Sequence, residues 1–134
     1  MRVYIPKDWQ CDKHRWLMMR HYAQRYPLWK REINDIKLQY RASGESSGGS
    51  APASEVEMKV ERMEKLSTNI EIVEKCCRGA VSNKPYLYDC LLQSVTTNTR
   101  ADDLNAPIGR MQISRYRKSF FFLLDQELES HNII

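Results

Sequence analysis

Apolar side chains recur along this chain at intervals of three and four residues, and no run of useful length alternates apolar with polar residues. The first interval places side chains on one face of an α-helix, whereas strict alternation is typical of a β-strand. We therefore expect an all-α protein. The helices begin where an apolar stripe begins, and they end where proline, glycine or a cluster of small polar residues interrupts it.

The N-terminal region, residues 1–41, predicts two helices that form an arm or a hairpin. The first covers Asp8 to Arg25, because the residue before a proline avoids the helical region and residue 27 is proline. The second begins at Pro27, since proline is accepted in the first turn of a helix. Its apolar stripe consists of Trp29, Ile33, Ile36 and Tyr40.

Residues 42–53, ASGESSGGSAPA, predict a flexible linker because segments rich in glycine and serine behave as flexible coils. A long central helix follows, with Ser54 and Glu57 as a Ser-x-x-Glu capping box and with Gly79 at its end. Its apolar residues have a near-heptad spacing, which is typical of a helix paired with another helix. They are Val56, Val60, Met63, Ile70, Val73 and Cys77.

The helical domain predicted over residues 54–130 continues with a helix at 83–95 and ends in the outline of a helix-turn-helix. A short helix at 100–108 is broken by Pro107 and Gly109, and a longer helix follows at 113–128. The longer helix has a basic, polar start and an apolar body. Of its three consecutive phenylalanines, residues 120–122, we expect two in the core and one against another helix or subunit, because neighbouring helical residues point about 100° apart.

The basic start of this last helix is the candidate functional surface. In a helix-turn-helix, the second helix enters the major groove of DNA by its N-terminal part. Cations at that end contact phosphates or guanine edges, and amides or hydroxyls bond to bases or to the sugar-phosphate backbone. The candidates are Gln112, Ser114, Arg115, Arg117 and Lys118. The alternative interpretation is a basic surface turn that closes a helical bundle.

Charge permits nucleic-acid binding without requiring it. The net charge is +4, and residues 1–41 hold ten of the basic residues against four acidic ones. Rings and cations interleave in this region, a pattern that can bind single-stranded nucleic acid. We favour rings that face a core and cations that face water, because long cationic side chains commonly lie along apolar surface.

Other chemistry finds little support in the residues. The four cysteines include no Cys-x-x-Cys pair, and we expect no signal peptide, so free thiols in a reducing cytoplasm are predicted. Cys11, His14 and His21 share part of one helical face, but their spacing lacks the pairing of a zinc finger, and an exposed polar face is favoured over a metal site. The motifs of phosphate-binding loops, nucleophile elbows and metalloproteases are absent. We expect no enzyme, no cofactor and no membrane-spanning segment.

Three tracts resemble phage and prophage transcriptional regulators of the RinA/ArpU type, whose C-terminal part is similar to sigma-70 region 4. They are RYPLWKREINDIKL at 25–38, SEVEMKVERMEKLSTNIEIVEKCC at 54–77 and SRYRKSFFFLLDQEL at 114–128. The resemblance implies a cytoplasmic, DNA-binding regulator, with activation of late phage genes as its role. It also implies a sigma region 4-like helix-turn-helix, in which Arg100 and Arg110 contact the backbone beside the candidates named above.

Double-stranded DNA is the partner that this interpretation predicts, and contacts with RNA polymerase and a homodimer are left open. The alternative is a helical protein-interaction component or a phage DNA-packaging component similar to a small terminase subunit. The near-heptad central helix and the acidic turn at 125–129 favour that alternative.

Overall fold

The computed structural model describes residues 5–7, 9–45, 53–97 and 109–133, and all regular structure within these ranges is helical. The all-α prediction is confirmed. The short helix predicted at 100–108, and with it the first half of the predicted helix-turn-helix, lies outside the described residues. The elements are α1 (Lys13–Gln24), α2 (Tyr26–Glu45), α3 (Ala53–Ala80), a 3-10 turn (Pro85–Leu87), α4 (Tyr88–Thr97) and α5 (Arg110–Ser130).

The first helix begins later than the sequence predicts. Asp12 is the N-cap of α1, and its carboxylate accepts a hydrogen bond of 2.7 Å from the backbone N–H of Arg15. This cap satisfies one of the N–H groups that a helix start leaves open. The segment before it turns at Trp9, whose N–H bonds to the carbonyl of Pro6. The predicted division into two helices is observed, but the interruption lies at Arg25, the C-cap of α1, and α2 begins at Tyr26, one residue before the predicted start at Pro27.

The structure describes only part of the linker that is predicted at residues 42–53. Residues 42–45 belong to α2, so the prediction is wrong for them. Extending an existing helix by a residue avoids the cost of a new nucleus, and this outweighs the low propensity of Gly44. Residues 46–52 lie outside the described residues. The next helix begins at Ala53, one residue before the predicted cap Ser54.

Gly79 does not end α3, as the sequence predicts, but lies inside it, one residue before its end. A Cβ atom at this position would lie 3.0 Å from Cδ1 of Leu123 on α5. That separation is tighter than ordinary van der Waals contact. The glycine therefore leaves room for a close approach of α5 to the last turn of α3.

One compact unit comprises residues 1–25 and 72–134, and its core is built around three phenylalanines of α5. Phe120, Phe121 and Phe122 are all buried within this unit, so none of the three rings is left exposed for contact with another subunit. Two tryptophans of the N-terminal residues cover two of these rings. Trp9 packs edge-on against Phe122 with ring centroids 5.4 Å apart, and Trp16 packs against Phe121 at 4.6 Å.

Polar contacts hold the same N-terminal residues to the C-terminal turns of α5. Asp125 is buried, and its two oxygens accept hydrogen bonds from Trp9 Nε1, at 2.8 Å, and from Arg15 Nε. The bond to Asp125 raises the pKa of Arg15. Residues 1–25 therefore belong with the C-terminal helices, a division that differs from the predicted regions 1–41, 42–53 and 54–130.

The second unit, residues 26–71, comprises α2 and the first part of α3. The predicted stripe of α2 is buried at Trp29, Ile33 and Ile36. Two hydrogen bonds of 2.9 and 3.1 Å join the guanidinium of Arg62 on α3 to the carboxylate of Glu32 on α2, and they lower the pKa of that carboxylate.

The near-heptad stripe predicted for the first part of α3 is wrong in two respects. Val60 is 44% exposed, and Leu66, which the stripe omits, is fully buried. Met58, which lies outside the stripe, is more exposed still at 68%. Spacing alone assigned one apolar face to the helix, whereas the folded chain buries a neighbouring one.

The adjacent cysteines of α3 are sealed in the core of the first unit. Burial, reinforced by the carboxylate of Glu127, raises the pKa of Cys76 to about 12, and burial also raises the pKa of Cys77. Both are free thiols. The thiolate is the reactive form of cysteine, so the raised pKa values lower the reactivity of both thiols, and burial also keeps reagents away from them.

Alkylation at pH 8 is therefore expected to modify the half-buried Cys11 and Cys90 well before Cys76 and Cys77, as peptide mass spectrometry after timed quenching would show. A raised thiol pKa means that the folded state holds its proton more tightly. Stability from these groups is complete below pH 9 and falls as the pH rises toward 12. Equal labelling of all four cysteines in folded protein would contradict this placement.

Candidate nucleic-acid interface

The helix that carries the predicted DNA contacts starts earlier than expected, at Arg110 instead of residue 113. Gly109 is its N-cap in an extended conformation, and its carbonyl accepts hydrogen bonds from the N–H groups of Gln112 and Ile113. No side chain caps this end, and its first turn contains no acidic residue. The partial positive charge of a helix N-terminus is therefore not offset within α5 itself.

Four of the predicted contact residues lie exposed along the first turns of α5: Gln112, Ser114, Arg115 and Lys118. The anchor between them is Ile113, which is buried. The side chain of Arg110 and the whole of Arg100 lie outside the part of the chain that the structure describes.

Arg117 differs from these four because it is half-buried and bonded to α4. Its Nη1 donates to the carbonyl of Ser94 at 3.2 Å and to the Ser94 hydroxyl at 2.8 Å. Burial, followed by the charge of Arg20, lowers the pKa of Arg117. Two residues along a helix correspond to a rotation of about 200°, so Arg117 points away from Arg115. The structure thus gives Arg117 a contact that fastens α5 to α4.

A small pocket of about 120 Å³ lies beside the exposed turns of α5. One wall is a single face of α5, and the other is formed by the end of α3 and the turn that leads to α4. This volume is well below the roughly 300 Å³ at which drug-sized ligand sites begin. The lining residues are Ala80, Asn83, Lys84, Gln112, Arg115, Tyr116 and Ser119.

The described residues that line the pocket include two cations and no acidic residue. Within the described ranges, some cations have carboxylate partners: Arg15 pairs with Asp125, and Lys75 pairs with Glu127 at 2.8 Å. Neither Lys84 nor Arg115 forms a salt bridge with any described residue. Two cations at one small concavity, with no carboxylate partner in the described part of the chain, favour an anion as its occupant.

Two hydrogen bonds shape the walls of this pocket. The hydroxyl of Tyr116 donates to Asn83 Oδ1 at 3.5 Å, and so links the α3–α4 turn to α5. The hydroxyl of Ser119 donates to the backbone carbonyl of Arg115 at 3.2 Å.

Sequence reasoning missed half of this site. The spacing of Gln112, Arg115, Tyr116 and Ser119, at i, i+3, i+4 and i+7, is a helical face and was available as a signal. Asn83 and Lys84 lie about thirty residues earlier, and nothing local predicts that they meet that face. They form the start of the predicted helix 83–95, which the structure replaces with a turn, a 3-10 turn and α4.

The structure gives no metal-binding constellation within the described residues, since no three His, Cys, Asp or Glu side chains converge there. None of the described helices combines the length and the apolar character that crossing a membrane requires. Comparison of this chain with protein-family models, with curated proteins and with solved structures finds no match.

Proposed function

We propose that this chain is a DNA-binding transcriptional regulator that contacts duplex DNA with the first turns of α5. The observation that carries the proposal is the exposure of Arg115 and Lys118, with Gln112 and Ser114 beside them, on a helix whose other end is held in a core of phenylalanine rings. A helix about 10–12 Å across fits a major groove about 12 Å wide. Such an arrangement lets a rigid body present cations and amides to DNA.

The finer parts of the proposal rest on the resemblance given above. They are a sigma region 4-like helix-turn-helix, a phage or prophage origin, action in the cytoplasm and contact with RNA polymerase. Arg100 and Arg110 belong to this part. The short helix that would complete the motif falls in residues 100–108, outside the described residues, so the structural support for the proposal comes from α5 alone.

The test is duplex binding measured by fluorescence anisotropy at several salt concentrations. Wild-type affinity is expected to fall steeply with salt, because each neutralised phosphate adds about 0.9 to the slope of log K against log salt. The double variant Arg115→Ala/Lys118→Ala is expected to bind roughly a hundredfold more weakly, at about tenfold for each lost charged contact. Its salt slope is expected to be shallower by about two.

Lys13→Ala is the matched control for loss of charge. Lys13 is exposed at the start of α1, two residues before Arg15, which contacts Asp125 and Glu129 in the last turns of α5. Arg115 lies about 15 Å away from Asp125 along the helix. Equal loss of binding in Lys13→Ala and in the double variant would show that only the net charge of the protein matters. Unchanged binding in the double variant would refute the proposal.

A second candidate, a helical interaction or DNA-packaging component, is favoured by the exposed apolar side chains of α3. Met58 and Val60 are 68% and 44% exposed. A second helix packed against this surface would bury these side chains, and a homodimer is the simplest such partner. Sedimentation that shows a defined oligomer, together with no salt-dependent duplex binding, would favour this candidate over the first.

A further inference from the structure

We propose that the pocket between the α3–α4 turn and α5 binds the oxygen atoms of a single phosphate group, and that Lys84 and Asn83 are its contacts from outside α5. The inference rests on the proposed function for the source of that phosphate, the backbone of duplex DNA. The site itself is argued from size, charge and donor atoms alone.

Size limits the ligand to a small group. A cavity volume of about 120 Å³ holds several water molecules, and so a group of a few heavy atoms. A tetrahedral phosphate, one phosphorus with four oxygens, fills that space.

Charge selects an anion. The lining brings Lys84 and Arg115 to one concavity, and none of the lining residues that the structure describes is a carboxylate. Arg115 offers a planar fork of N–H donors that matches two phosphate oxygens, and Lys84 offers a compact ammonium. These two side chains come from different elements, so an anion held between them experiences attraction from both walls of the pocket.

Amide groups complete the donor set. The Oδ1 of Asn83 is occupied by the hydroxyl of Tyr116, which leaves the Nδ2 group of Asn83 to donate to an incoming oxygen. The side-chain amide of Gln112 lies on the opposite wall and supplies a further donor. The hydroxyl of Ser119 donates to a carbonyl of α5 and lines the pocket without taking part in this set.

The functional consequence is a second point of attachment. Phosphate contacts fix the register and orientation of a protein on a duplex without reading sequence. A phosphate held jointly by Lys84 and Arg115 would set the angle at which α5 meets DNA, and the exposed Ser114 and Lys118 would be positioned by it.

The direct experiment is titration of the full chain with inorganic phosphate, followed by NMR of the side-chain amides of Asn83 and Gln112. Chloride at equal ionic strength is the control for screening. Saturable shifts with phosphate and not with chloride are expected, abolished by Lys84→Ala and retained by Lys84→Arg and Lys13→Ala. The Lys84 side chain is replaced without touching its backbone N–H, which bonds to Val81, and thermal unfolding checks that the variant folds.

The second arm uses duplex DNA without terminal phosphates, so that only backbone phosphodiesters are present. Lys84→Ala is expected to weaken binding by about tenfold and to lower the salt slope by about one, equally for unrelated sequences. Lys84→Arg is expected to bind like the wild type because it keeps the charge.

The two arms separate failure of the pocket from failure of the proposed function. Phosphate-specific shifts without duplex binding would support the pocket, with free phosphate as its ligand, and refute DNA binding. Duplex binding that depends on Arg115 and Lys118 but is unchanged by Lys84→Ala would overturn the pocket and leave the DNA-binding proposal standing. Identical shifts in phosphate and chloride would also overturn the pocket.

Discussion

Replacing Phe121 with alanine is expected to lower the free energy of unfolding by about 3–5 kcal/mol, the range for deleting a buried aromatic ring. The ring is 1% exposed, and it packs at 4.6 Å from the Trp16 ring and 5.0 Å from the Phe120 ring. Its loss would remove contacts between α1 and α5 and leave a cavity that a helical core closes only in part. Urea unfolding followed by circular dichroism measures the change.

Two matched variants show whether the effect belongs to the core. Phe121→Leu keeps most of the volume, so a smaller loss is expected. Met111→Ala lies on the same helix at a position that is 73% exposed, and its expected effect is within about 0.5 kcal/mol. A loss of less than about 1 kcal/mol in Phe121→Ala would contradict the packing described for α5.

The helices of this protein follow from local pattern, and so does the basic start of α5. Local features of one or two turns mark the helices: proline at 27, the stripe through Trp29, Ile33 and Ile36, and glycine at 109. Such signals are visible in the sequence because the forces behind them, helix capping and backbone geometry, are local. The predicted DNA-contact residues of α5 belong to the same class of signal.

Contacts between distant residues were not predictable in the same way. The pocket depends on the meeting of Lys84 with Arg115, and the role of Arg117 depends on the buried Ser94 of another helix. The amphipathic pattern predicts a polar position at Arg117. It does not predict that Arg117 donates hydrogen bonds to the carbonyl and the hydroxyl of the buried Ser94. Gly79 likewise has the sequence signature of a helix end. In the fold, the absence of a Cβ atom at Gly79 leaves room for the side chain of Leu123.

The attachment of the N-terminal residues is the largest departure from the sequence-based picture, and the buried carboxylate of α5 accounts for it. Asp125 reads as one acid among several in a solvated C-terminal turn. In the fold it accepts from Trp9 and Arg15, more than a hundred residues away in sequence. These bonds secure the segment whose rings cover Phe121 and Phe122.

Asp125→Ala is accordingly expected to lower the free energy of unfolding by about 2–3 kcal/mol. The change leaves the indole N–H of Trp9 and the guanidinium of Arg15 without their acceptor. Removing one partner of a fully buried ion pair costs about 3–5 kcal/mol, but the side chain of Arg15 is 33% exposed, so water compensates for part of the loss. Chemical unfolding followed by circular dichroism, with tryptophan fluorescence as a second probe, measures it.

The neighbouring exposed residue provides the control, since Gln126→Ala removes a side chain of similar length from the same turn without touching these bonds. A double-mutant cycle of Asp125→Ala with Trp9→Phe isolates the indole bond, and a coupling of about 0.5–1.5 kcal/mol is expected because the residues are in contact. Additive effects in that cycle, or an Asp125→Ala variant as stable as Gln126→Ala, would show that the rings alone hold the N-terminal segment. In that case the hydrophobic cover of α5 would be sufficient to fix residues 9–25 against it.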